Sequence, residues 1–345
     1  MLTRDDVDAA AGRIAGRVRR TPVLAPDTPQ DPRSCSARGL IMGVKGHSDC
    51  KVTDLGRDPA SAPVAPVWLK CEWLQHTGSF KARGAFNRVL AAEEAGELDR
   101  HIGVIAASGG NAGLAIAYAA AHVGVPAEIW VPTTAPPVKV ARLRSLGATV
   151  VGHGSEYAEA YQGAIERAEA TGAVHCHAYD HVNMAAGAGT IGLELLEQVP
   201  GGFDTVIVAV GGGGLMAGVA AALEPVGVRV VGAEPSTAST LHSALAAGGP
   251  VDVTVSGVAA DSLGARRAGD IAYAVAARTG VVSVLVDDAD IVAARRDLWH
   301  SHRIVVEHGA AAAWAALAAG AYVPEPDERV VVVLCGANTN PADLD

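Results

Sequence analysis

Gln75-His-Thr-Gly-Ser-Phe-Lys-Ala-Arg-Gly-Ala-Phe-Asn87 sets one lysine, Lys81, between a small-residue turn and the opening of a helix. The whole chain holds five lysines: Lys45, Lys51, Lys70, Lys81 and Lys139. Lys45 and Lys51 fall in an irregular stretch, Lys70 alternates on a strand, and Lys139 follows Pro136-Pro137 in a surface-like helix. Lys81, with Phe80 beside it, is therefore the candidate for a pocket lysine whose amine does Schiff-base chemistry. A lone Ser-Phe-Lys is common on helix surfaces, but the longer run Thr77 to Ala85 with Asn87 behind it is specific.

Outward from this stretch, short β-rich runs alternate with Ala-rich helical ones. Val67–Lys70, Ile102–Ala106, Ala127–Val131, Thr149–Val151, Thr205–Val210, Arg229–Ala233 and Arg329–Leu334 read as strands. Helices are expected at Thr3–Arg20, Gly113–Val123, Pro137–Ser145, Tyr157–Thr171 and Leu215–Leu223. Such alternation predicts an α/β fold with mostly parallel sheets covered on both faces, and ligands gather at the C-terminal strand ends of such sheets.

Three glycine-containing motifs directly follow predicted strands. Ser108-Gly-Gly-Asn111 opens a helix, where converging N–H groups and the helix dipole favour an anion such as a carboxylate; a plain helix cap by Ser108 is the alternative. Gly211-Gly-Gly-Gly214 lets the backbone approach a phosphate closely. The same loop also satisfies a dinucleotide pattern, Gly212-x-Gly214-x-x-Ala217 with Glu234 further on, so a nicotinamide cofactor is a rival reading of that loop taken alone. Cys335-Gly-Ala-Asn338 ends the last strand, and a buried cysteine there is ordinarily a small apolar side chain.

At 345 residues with half of them hydrophobic, the chain can build two domains or one large one. A formal charge of −10 argues against nucleic acid and acidic membrane surfaces as partners. Five cysteines without a C-x-x-C pair suggest a reducing cytoplasm, and no apolar run reaches the ~18 residues of a membrane span. Residues 24–66 lose periodicity and read as an irregular insertion; Cys35, Cys50 and His47 within it lack the spacing of a metal clip. His175, His177 and His181 raise a second metal reading, with no further ligand to complete a set.

Together, the motifs at Lys81, Ser108, Gly211 and Cys335 resemble, in order and spacing from about Leu69 onward, the serine/threonine dehydratase branch of the fold-type II enzymes that use pyridoxal 5'-phosphate (PLP). The resemblance implies two doubly wound, mostly parallel sheets: a large domain of residues 1–95 and 182–345 and a small mobile domain of residues 96–181. Lys81 would carry PLP as a Schiff base and then remove the substrate's α-proton, with Phe80 beside it. Gly211, Gly212, Gly213 and Gly214 would cradle the cofactor phosphate, itself the proton donor to the leaving hydroxyl. Asn111 would donate to the phenolic oxygen, and Ser108, Gly109 and Gly110 would hold the substrate carboxylate. Cys335 would face the pyridine nitrogen; a thiol cannot keep that nitrogen protonated, which favours elimination. The implied reaction is loss of water from L-threonine, L-serine or a related β-hydroxy amino acid, giving a 2-oxo acid and ammonia. A β-replacement synthase or a racemase on the same fold is the alternative, and a homodimer without an appended regulatory domain is expected.

Several positions depart from the pattern. The family's racemases place a serine where this chain has Gly109, so racemisation is disfavoured. A divalent-cation site would pair Glu234 with a carboxylate where Thr240 stands, so no metal is predicted. Glu307-His-Gly-Ala-Ala has His308 in place of proline; Glu307 is expected either near the cofactor or paired with Arg303 at helical spacing. His177-Ala-Tyr-Asp-His181 replaces a more aromatic and acidic segment, which bears on substrate choice. Related dehydratases cross the region of the insertion with a much shorter connection.

Overall fold

The structure is a computed structural model and describes residues 1–26 and 66–344; Lys45, Lys51 and the Cys35, Cys50 and His47 grouping lie outside that range. One sheet has six strands in the order β1 (Val23–Leu24), β2 (Val67–Lys70), β10 (Val330–Val333), β7 (Thr205–Ala209), β8 (Arg229–Pro235) and β9 (Val282–Val286). Its strands are parallel except β1, which runs against β2. The other sheet has four parallel strands in the order β5 (Thr149–Gly152), β4 (Ala127–Val131), β3 (Val104–Ala107) and β6 (Val174–His175). β10 consists of four fully buried valines, the composition of a central parallel strand covered on both faces.

Several elements are shorter than their apolar pattern predicts, two of them for a local reason. Helix α1 spans Arg4–Ile14 rather than running on to Arg20, capped at Thr3 by a reciprocal pair with Asp6 and closed by Gly16 at φ +71°. The strand expected from Ile102 begins at Val104, because Gly103 takes φ +81° and donates its N–H to the Asp99 carbonyl. β1, β6 and β9 are not apparent in the sequence pattern, two of them being two-residue strands.

Helix α2 (Lys81–Glu94) is held tightly against α6 (Val182–Gln198). A Cβ on Gly84 would lie 2.5 Å from the Met184 carbonyl, and one on Gly187 would lie 2.5 Å from the Arg83 carbonyl. The backbones therefore touch, and the first turn of α2 has little room to shift. The remaining helices are α3 (Asn111–Val123), α4 (Pro137–Ser145), α5 (Tyr157–Thr171), α7 (Gly214–Leu223), α8 (Thr240–Ala247), α9 (Asp270–Thr279), α10 (Asp288–His302) and α11 (His308–Ala318). Among the described residues no helix is long and apolar enough to cross a membrane.

Candidate active site

Beneath the start of α2 lies a buried cluster of four charges. Arg83 is fully buried and gives Nε and Nη2 to the two Glu72 oxygens at 2.9 and 2.8 Å; its Nη1 and Nη2 reach Glu194 at 2.7 and 2.9 Å. Lys70, expected from the sequence only to alternate on a strand, is also fully buried. It donates to Glu194 at 2.5 Å, Gln198 at 2.7 Å and the Thr21 carbonyl at 2.8 Å. Two cations meet two carboxylates with their donors filled, which is the condition under which buried charge is tolerated. The cluster joins β2, the turn after it, α2 and α6, and so anchors the helix that begins with Lys81.

Lys81 is partly buried, and its amine donates to the Ala178 carbonyl at 2.8 Å. Desolvation brings its pKa down to about 8, against the pull of the nearby Glu307 carboxyl. Phe80 caps the helix, its N–H bonded to the Cys335 carbonyl at 3.0 Å and its ring centroid 5.0 Å from the Lys81 amine. Cys335 lies two residues beyond the end of β10, is buried, and has its thiol pushed up by desolvation. The hydroxyl of Ser79 is buried without a hydrogen-bond partner among the described residues.

Glu307 belongs to this group rather than to Arg303. Arg303 ends α10 in the left-handed region at φ +56°, so no helix spans the two and the i,i+4 pairing is not formed. Glu307 instead accepts from Asn111 Nδ2 at 2.8 Å, and its N–H bonds the Gly336 carbonyl at 3.1 Å. Burial raises its carboxyl to about 7, with the Asn111 hydrogen bond acting against the rise. Asn338 donates to the Thr77 carbonyl at 2.8 Å and to Asn111 Oδ1 at 2.6 Å. The Asn338 contacts have no signal in sequence spacing, since they join residues far apart along the chain.

In the loop between β7 and α7 the carbonyls are committed and the donors are not. Thr240 Oγ1 donates to the Gly211 carbonyl, the Gly269 N–H bonds that of Gly212 at 3.1 Å, and the Ala217 N–H bonds that of Gly213 at 2.8 Å. Among the described residues the N–H groups of Gly211, Gly212 and Gly213 have no acceptor, and they sit at the N-terminus of a helix. That donor row suits a phosphate. Gly213 has φ +84°, and a Cβ there would run into Ala272. Glu234 accepts from the Leu241 and His242 N–H groups at 2.7 Å each, so its oxygens are engaged by the start of α8.

At the start of α3, Ser108 Oγ accepts from the Gly110 N–H at 3.2 Å, while the helix cap is Gly110 and not Ser108. Across the gap, the 177–180 turn lies against the glycine loop: the Tyr179 ring covers Gly212, and the Tyr179 carbonyl is where a Cβ on Gly214 would be 2.7 Å away. His177 Nδ1 accepts from the Tyr179 and Asp180 N–H groups at 3.2 and 2.7 Å. Those bonds and burial, which lowers its pKa to about 4, keep His177 a neutral imidazole protonated at Nε2. With Nδ1 so used and β6 ending at His175, the histidines do not form the ligand ladder that their spacing suggested. A small pocket lined by Phe80, Lys81, Ala178, Tyr179, Gly214 and Leu215 lies between the amine and the loop.

A lysine amine, a row of free N–H donors, a carboxamide and a thiol, brought together from both sheets, fit pyridoxal phosphate as a donor set. Comparison with known proteins agrees. Residues 51–336 match the family model described as pyridoxal-phosphate dependent enzyme. The chain is 38% identical over 283 residues to a phenylserine dehydratase of Ralstonia pickettii, covering 81% of this chain and 85% of the relative. It is 36% identical over 275 residues to an L-threonine ammonia-lyase of Geobacter sulfurreducens, covering 79% and 67%. The structure of maize serine racemase superposes with a TM-score of 0.83 at 29% identity, covering 98% of this chain and 94% of that one.

Proposed function

The chain belongs to the pyridoxal-phosphate dependent enzymes and is a lyase of their dehydratase branch, within which we propose that it removes water from L-threonine, L-serine or a related β-hydroxy amino acid, giving a 2-oxo acid and ammonia. The observation that carries this reading is the desolvated Lys81 amine facing, across one small cavity, a glycine loop with unused N–H groups. When bound, the cofactor supplies the electron sink that makes a Cα–H removable near neutral pH.

In this reading Lys81 binds the cofactor and, as a free amine, takes the α-proton; a pKa near 8 leaves a useful fraction of neutral base at pH 7 to 8. The N–H groups of Gly211 to Gly214 hold the phosphate, which requires the Tyr179 ring to leave Gly212. Asn111 gives its second amide hydrogen to the phenolic oxygen, and Ser108, Gly109 and Gly110 hold the substrate carboxylate. The Cys335 thiol, kept neutral by burial, lies beside the ring nitrogen. Residues 96–181, built on the four-stranded sheet, act as a small domain closing on the large one. A homodimer in the cytoplasm is part of the same proposal.

An aromatic β-substituent is among the substrates to test, because one of the relatives is a phenylserine dehydratase. The test is 2-oxo acid release from L-threonine, L-serine and β-phenylserine by the PLP-loaded protein. Formation of the oxo acid supports the reading; accumulation of the D-enantiomer, or a product formed only when a thiol nucleophile is added, overturns it in favour of a racemase or a replacement synthase.

A further inference from the structure

The Cys335-Gly-Ala-Asn338 motif leaves Asn338 without a role in the reading above, yet its carboxamide is fully committed. Arg142 on α4 gives Nη2 to Asn338 Oδ1 at 2.6 Å. Asn338 Nδ2 donates to the Thr77 carbonyl and to Asn111 Oδ1. Asn111 Nδ2 in turn donates to Glu307 Oε1. An arginine can only donate and a carbonyl can only accept. Arg142 and Thr77 therefore demand the same orientation of the Asn338 amide, oxygen outward and nitrogen inward. That orientation forces the oxygen of Asn111 toward Asn338 and its nitrogen toward Glu307. Turning the Asn338 amide round would set acceptor against acceptor at Thr77 and Asn111 and donor against donor at Arg142, and turning that of Asn111 would set donor against donor at Asn338.

The elements that supply these groups matter as well. Arg142 and Asn111 belong to helices packed with the four-stranded sheet, whereas Thr77, Asn338 and Glu307 flank the six-stranded one. The relay is complete only when the two are in contact. We propose that Asn338 is a positioning residue that couples the approach of α4, through Arg142, to the orientation of the Asn111 carboxamide at the reacting centre. This rests on the reading that Lys81, Asn111 and Glu307 form that centre. Lys139, one turn before Arg142 and paired with Asp261 across the same gap, provides a contact of similar exposure that does not enter the relay.

The experiment uses full-length protein with Asn338→Asp, Arg142→Met and Lys139→Met. In cofactor-free protein the side-chain amide resonances of Asn111 are followed by ¹H–¹⁵N correlation; in PLP-loaded protein kcat and KM are measured separately. Asn338→Asp removes the inward donor, so the Asn111 resonances move and kcat falls by roughly tenfold or more with KM little changed. Arg142→Met, at an exposed side chain that tolerates replacement, gives a smaller change of the same kind, and Lys139→Met gives none in the resonances. Asn111 resonances that stay fixed in Asn338→Asp, or a Lys139→Met variant that matches Arg142→Met in both readouts, overturn the proposal. Resonances that move in a protein whose wild type releases no oxo acid leave the relay standing and remove the dehydratase reading instead.

Discussion

Lys70 and Lys81 are both desolvated lysines within one small region, and they have opposite surroundings. Burial lowers the pKa of each. Around Lys70, Glu194, Gln198 and the Thr21 carbonyl take up the ammonium hydrogens, and Arg83 completes a neutral cluster with Glu72. Around Lys81, one backbone carbonyl accepts, and the nearest acid, Glu307, is held by Asn111. Saturation makes the first cluster an anchor; incompleteness leaves the second amine available for chemistry. The anchor also serves the reactive group, because Arg83 fixes the first turn of the helix that Lys81 opens.

The largest expected effect tests that division directly. Lys81→Ala should lower turnover of the β-hydroxy substrate by three or more orders of magnitude, on the order of 4 kcal/mol or more in activation free energy. Its melting temperature should stay near that of the wild type. Lys70→Met should do the reverse, retaining turnover within a few-fold while lowering the melting temperature. Arg83→Met strands the fully buried Glu72 carboxylate and should cost about 3–5 kcal/mol of stability by chemical denaturation. A Lys70 or Arg83 variant that loses activity at unchanged stability would blur the comparison.

Within the Lys81 site, two groups respond to pH in opposite directions. Glu307 is raised from 4.5 to about 7 by burial, so the folded protein holds a proton that the unfolded chain has released across that window. Its contribution to stability is complete below pH 4.5 and is lost as pH rises through about 7. Lys81 is lowered from 10.5 to about 8, so its contribution is complete above 10.5 and is lost as pH falls through about 8. Glu307→Gln should flatten the acid-side change in melting temperature and leave the alkaline one. A smaller effect is expected at the glycine loop. Thr240→Val removes the hydroxyl that holds the Gly211 carbonyl and should raise the PLP dissociation constant several-fold, about 1 kcal/mol.

The parts of the fold set by local pattern are legible in the sequence. Pro137–Ser145 and Tyr157–Thr171 form helices with the predicted bounds, and the valine-rich strands follow their β-branched runs. What the sequence hides depends on partners distant along the chain. The Lys70 cluster draws on residues from Thr21 to Gln198, and no periodicity signals it. Glu307 looked equally suited to Arg303 because spacing assumes a continuous helix, which the left-handed turn at Arg303 breaks. At the candidate site, the glycines and Lys81 stand out as residue types. That the loop carbonyls are all engaged while their N–H groups stay free requires coordinates, as does the contact of Tyr179 with that loop.

The most direct test of the account reduces the PLP-loaded protein with borohydride and maps the modified peptide. The account predicts a phosphopyridoxyl group on Lys81 alone, with Lys70 untouched because its amine is fully engaged. Modification of Lys70 or Lys139, or no modification in protein saturated with PLP, would contradict it.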